Sequence, residues 1–94
     1  MTEKQLMQNA IALLRRHGYL VFHPFDSRRS EPGWPDLFAV HPDNGKVFAI
    51  ECKSEKGRTT RAQRAWLKAL LGVKVVDAFV LRPGPDLEQL EALL

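Results

Sequence analysis

One cysteine, Cys52, stands among 94 residues, so the chain can form neither an internal disulfide framework nor a multi-cysteine zinc site. No apolar run approaches the roughly 18 residues of a membrane span. The opening stretch, MTEKQLMQNA, lacks the apolar core of a signal peptide. A soluble, cytoplasmic protein with no membrane partner is therefore expected. Internal repeats and low-complexity tracts are missing as well, as suits a globular chain. Length is the last shortage. Domains mostly run from about 50 to 250 residues, so residues 1–94 are expected to form a single domain. A chain of this size buries only about 60 to 68 % of its unfolded surface, which makes self-association an expectation.

What is present reads as globular: 45 % of residues are hydrophobic and 27 % charged. The net charge of +3 is modest, but it is unevenly spread. Between Cys52 and Lys68, six basic residues (Lys53, Lys56, Arg58, Arg61, Arg64, Lys68) face one acid, Glu55. A local surplus of this kind suits a polyanionic partner.

Thr2 with Gln5 fits a capping box, and Leu6, Met7, Ala10, Ile11, Leu13 and Leu14 recur at helical spacing, so a helix is predicted from Glu3 to His17. YLVFH reads as a strand, and PFDSRRSEPGW as a long irregular loop of the kind that tends to be functional. PDLFAVH and KVFAIECKS are rich in strand formers, and the PDNG between them predicts a β-hairpin. Thr60 and Gln63 form a second capping box ahead of a helix with Ala62, Trp66, Leu67, Leu70 and Leu71 on its apolar face. VVDAFVLR is a further strand, and Asp86 is expected to cap a short C-terminal helix. The order predicts an α/β fold, a mixed sheet of about four strands flanked by helices.

The hairpin brings chemistry together. With Pro42 to Gly45 as the turn, His41 pairs with Lys46 and Asp36 falls opposite Glu51. Opposed side chains on one face have Cβ atoms about 4.5 to 5.5 Å apart, where like charges repel. Lys53 shares the face of Glu51, while Phe48, Ile50 and Cys52 point to the other. Two carboxylates and an amine in one place suit Mg²⁺ or Mn²⁺ and phosphate chemistry. An exposed cluster of solvated charges is the competing reading. His17, His23 and His41 lack ligand spacing and read as structural.

Pro35-Asp36 followed by Glu51-Cys52-Lys53 resembles the PD-(D/E)XK nuclease signature. The wording EPGWPDLFAV, VFAIECKSEKG and TTRAQRAWLKAL, in that order, is similar to the VRR-NUC branch of virus-type replication and repair nucleases, over roughly Glu3 to Leu81. The resemblance implies a restriction-endonuclease-like core. It also implies Asp36, Glu51 and the backbone carbonyl of Cys52 as ligands of Mg²⁺ or Mn²⁺, and Lys53 as the catalytic lysine. Glu3 and Gln63 match further family site residues; a favourable helix-dipole position and the capping box explain them equally well. DNA contact is expected from Arg28, Arg29, Lys56, Arg58, Arg61, Arg64 and Lys68, with a solvated helix face as the alternative for those on the second helix. The activity implied is metal-dependent cleavage of branched DNA, four-way (Holliday) junctions above all, by a stand-alone homodimer in a bacterial or phage-infected cell. The rival readings are a flap or other branched-DNA nuclease and a non-catalytic DNA-binding module. Phe25, Trp34 and the leucines of the C-terminal helix are the interface candidates.

Overall fold

Thr2 accepts the Gln5 N–H on its side chain while Gln5 returns a bond to the Thr2 N–H, and this capping box opens α1 (Glu3–Arg16). The computed structural model describes residues 1–24 and 31–94. Phe25, Arg28 and Arg29, singled out above, lie outside the described residues. After α1 come β1 (Leu20–Phe22), β2 (Leu37–Val40), β3 (Val47–Cys52), α2 (Arg61–Leu71), β4 (Val76–Leu81) and α3 (Pro85–Leu93). The described strands form one mixed sheet in the order β1-β2-β3-β4. The first three pair antiparallel, and β4 runs parallel to β3 after the α2 crossover.

The hairpin register is the one the turn dictates. The His41 N–H donates to the Lys46 carbonyl at 2.9 Å, and Leu37 pairs with Ile50. His41 also holds the turn itself: its Nδ1 accepts from the N–H groups of Asp43 and Asn44, and its Nε2 donates to the His17 carbonyl. That donor set makes it a structural neutral imidazole with the proton on Nε2.

Alternation along β2 and β3 divides the apolar residues between two layers. Leu37, Ala39, Phe48, Ile50 and Cys52 meet Leu6, Ala10, Leu13 and Leu14 of α1 and Leu90 of α3 in the larger cluster. On the opposite face, Ala49 and Ala78 pack with Leu67 of α2, flanked by Phe38 and Leu70. Asp36 and Glu51, by the same alternation, belong to the α2 face, at the end where β2 begins and β3 finishes.

Three sequence expectations need correction. Asp86 does not cap α3: Pro85 occupies the first helical position, Gly84 is the N-cap, and no side chain caps the helix. Leu71 is 64 % exposed, because the sheet beneath α2 reaches Leu67 and Leu70 and the last turn overhangs it. Among the leucines of α3, Leu90 is buried in the core, and Leu93 is the large exposed one. No described helix is long and apolar enough to cross a membrane.

Candidate functional site

Glycine decides how the chain enters β2. Gly33 takes φ +85°, and a Cβ placed there would lie 2.4 Å from the backbone carbon of Ala62 and 2.7 Å from the Gln63 nitrogen. Only glycine permits both the conformation and the approach. The loop is locked onto α2 by tryptophans: Trp66 Nε1 donates to the Pro32 carbonyl at 3.1 Å, and the Trp34 and Trp66 rings meet edge to face at 5.0 Å. Trp34, half-buried, also packs against Phe38. The result is that Asp36 reaches the mouth of the sheet from a segment, residues 32–35, that is held against α2.

There Asp36 Oδ2 accepts the Cys52 N–H at 2.9 Å, tying the carboxylate to the end of β3. Its backbone carbonyl accepts from Nδ1 of His23, the residue just after β1, at 3.2 Å, which braces Asp36 from the neighbouring strand's end. Glu51, the facing carboxylate, is only 2 % exposed, and its Oε2 is buried without a hydrogen-bond partner among the described residues. Burial above all, then hydrogen bonding and charge from Asp36, raise the Glu51 carboxyl to about 9. Lys53 pulls the other way, and Glu3 adds a further upward push. The lysine alone does not compensate the pair. Burial beside Asp36 therefore favours the protonated form of Glu51.

Lys53 is half-buried beside Glu51, and the half-buried start of α2 carries Gln63, whose Oε1 accepts the Thr60 N–H at 2.8 Å in the capping box. Glu3, at the exposed start of α1, is near enough to raise both Glu51 and Cys52 by its charge. Burial also pushes the Cys52 thiol up, so its side chain is a core group and only its backbone faces the site. Lys56, Arg58, Arg61, Arg64 and Lys68 are all exposed, and Arg64 is partly engaged by the Thr59 carbonyl at 2.6 Å. Among the described residues no three His, Cys, Asp or Glu side chains converge as metal ligands. The model of the VRR-NUC domain family matches residues 1–82.

The chain belongs to the VRR-NUC domain family. This is a family of nuclease-type domains. A solved structure described as a VRR_NUC domain is similar in fold, with a TM-score of 0.75, 22 % identity, and coverage of 96 % of this chain and 95 % of that one. No curated protein matches the chain. Within this VRR-NUC fold, one residue at the site escaped the sequence reading. Arg82, just beyond β4, donates from Nη1 to the carbonyls of Ser54 and Gly57, each at 2.7 Å, across the loop that follows Lys53. Backbone carbonyls leave no mark in a sequence, so no spacing rule points to such an interaction.

Proposed function

We propose that this VRR-NUC chain is a Mg²⁺- or Mn²⁺-dependent endodeoxyribonuclease that cuts branched DNA, four-way junctions above all, as a homodimer. The observation that carries the reading is the opposed pair Asp36 and Glu51, one oxygen of which is buried without a partner. A buried carboxylate pair that favours a proton is also a pair that favours a divalent cation. Mg²⁺ is ordinarily held by one or two carboxylates plus waters and substrate phosphate, so two carboxylates and the Cys52 carbonyl are a sufficient protein donor set.

When bound, the ion supplies charge neutralisation at the phosphoryl oxygens and a water of lowered pKa. The rest falls to the side chains. The Cys52 N–H keeps Asp36 from swinging toward solvent. Lys53, on the same face as Glu51, meets developing negative charge on the phosphoryl group and orients the attacking water. The water oxygen forms its bond to phosphorus and gives up a proton to solvent, one P–O ester bond breaks, and the leaving sugar alkoxide takes up a proton from solvent to become the hydroxyl. Gln63 has its oxygen committed to Thr60, which leaves its NH₂ to face substrate. Glu3 adds negative field that strengthens cation binding.

Exposed Lys56, Arg58, Arg61, Arg64 and Lys68 supply phosphate contacts. Neutralising Arg61, Arg64 and Lys68 together should weaken binding to all DNA sequences. It should also flatten the salt dependence, by about 0.9 in log-log slope for each phosphate the protein no longer neutralises. For the dimer, Leu20 and Phe22, 67 % and 57 % exposed on edge strand β1, are apolar surface that a second copy would cover.

The test is a cleavage panel of junctions, flaps, bubbles and duplexes with Mg²⁺, Mn²⁺ or chelator, run beside sedimentation at micromolar concentration. Cation-dependent cutting of junctions by a dimer is expected. A monomer that cuts flaps as readily removes the junction reading, and binding without cleavage of any substrate replaces the enzyme with a DNA-binding module.

A further inference from the structure

Beyond the pair of carboxylates, the site depends on where Lys53 stands, and the structure supplies a device for that. The ladder between β3 and β4 continues one residue past the strands: the Lys53 N–H donates to the Leu81 carbonyl at 2.9 Å, which sets Arg82 beside the segment leaving β3. The Arg82 backbone is itself anchored, its N–H donating to Asp86 Oδ2 at 2.8 Å from the first turn of α3. From that fixed root the guanidinium crosses to the loop after Lys53. There Nη1 donates to the carbonyls of Ser54 and Gly57, with the Glu55 carbonyl at 3.4 Å. The loop closes on itself through the Gly57 N–H and the Ser54 carbonyl at 3.2 Å.

That loop lies against the lysine. A Cβ built on Gly57 would come within 2.8 Å of Ser54 Oγ and 3.6 Å of Lys53 Cδ, so the turn walls one side of the Lys53 stem. Among the described residues no carboxylate pairs with the guanidinium; its partners are carbonyls. A carboxylate would have cancelled its charge. Carbonyls tie the loop down and leave the positive charge beside Lys53, Lys56 and Arg58.

We infer that Arg82 is a positioning residue of the site: it fixes the Ser54–Gly57 turn, and through that turn the direction of Lys53 and the placement of the Lys56 and Arg58 cations. It touches no reacting atom. The inference rests on the nuclease reading for its kinetic consequence and on geometry alone for its structural one.

The experiment compares wild type, Arg82→Lys and Arg82→Met by single-turnover cleavage at saturating and limiting DNA, and by amide hydrogen exchange at Gly57. Met keeps the length and bulk of the stem and loses every donor, while Lys keeps the charge and loses the fork. The expected result for Arg82→Met is a fall in the rate at saturating DNA on the order of tenfold to a hundredfold, as for a displaced catalytic group. Faster exchange at Gly57 should accompany it, and Arg82→Lys should recover part of both. Unchanged exchange at Gly57 in Arg82→Met overturns the inference, as does faster exchange with an undiminished rate at saturating DNA. A wild type that cuts no DNA fails the nuclease reading instead, and exchange at Gly57 still decides whether Arg82 holds the turn.

Discussion

Pro-Asp-Leu occurs at residues 35–37 and again at residues 85–87, and each copy is preceded closely by a glycine at positive φ. At the first copy, the glycine presses against the backbone of α2, the proline is buried, and the aspartate accepts an N–H from the neighbouring strand opposite a buried glutamate. At the second, the glycine has open space around its would-be Cβ, the proline starts a helix, and the aspartate reaches back to the Arg82 N–H four residues earlier. Both carboxylates accept one backbone N–H, at 2.9 and 2.8 Å. The difference is the facing residue. Asp36 confronts Glu51, whose carboxyl is raised by burial and by Asp36, whereas Asp86 meets the backbone N–H of Arg82.

The comparison sharpens most at the facing residues. Glu51→Gln and Lys53→Ala should each lower cleavage in Mg²⁺ by about 10²- to 10⁴-fold, the range for removal of a group that moves or stabilises charge in the transition state. The fold should persist, because neither change opens a core cavity. Either variant cutting at near the wild-type rate with unaltered circular dichroism would return that residue to the ordinary.

The glycines separate next. Gly84→Ala meets only backbone strain at φ 102°, worth about 1–3 kcal/mol. Gly33→Ala adds to comparable strain a collision with backbone atoms at 2.4 Å, which no rotamer relieves. It should be the more destabilising of the two in thermal melts, and equal melting temperatures would mean that the loop is not clamped on α2.

A pH effect follows from the facing pair. Glu51 has its folded pKa raised above its unfolded value, so the folded state binds the proton more tightly. Without metal, the stability it contributes is fully present below the usual carboxylate range and lost as pH rises through about 9. In chelator the protein should therefore melt lower at pH 8.5 than at pH 6, a difference tied to this residue that Glu51→Gln should flatten. A slope that survives Glu51→Gln would assign the effect elsewhere.

The smallest effect belongs to the second copy. Asp86→Ala removes one hydrogen bond to a backbone N–H and should cost about 0.5–1.5 kcal/mol in denaturant unfolding.

Much of this was legible in the sequence because it rested on local rules. The PDNG turn fixed the hairpin register and with it the meeting of Asp36 and Glu51, and both capping boxes formed as spaced. Each failure has its own physical cause. Asp86 has the residue type of a cap, but Pro85 takes the first helical position and moves the boundary, freeing the carboxylate for Arg82. Leu71 has helical periodicity, but periodicity does not say where the sheet beneath ends. Arg82 binds carbonyls, which every residue has, so nothing in the side-chain pattern marks it.

Position 36 is expected to carry chemistry, and position 86 a hydrogen bond alone. Asparagine at either site keeps an oxygen that can accept the backbone N–H and removes the charge. The measurement is cleavage of a four-way junction in Mg²⁺ by Asp36→Asn and by Asp86→Asn, side by side with wild type. Asp36→Asn should lose cleavage by about 10²-fold or more, while Asp86→Asn should stay within a few-fold of wild type. Asp36→Asn cutting as fast as Asp86→Asn, with both folded, would contradict that expectation.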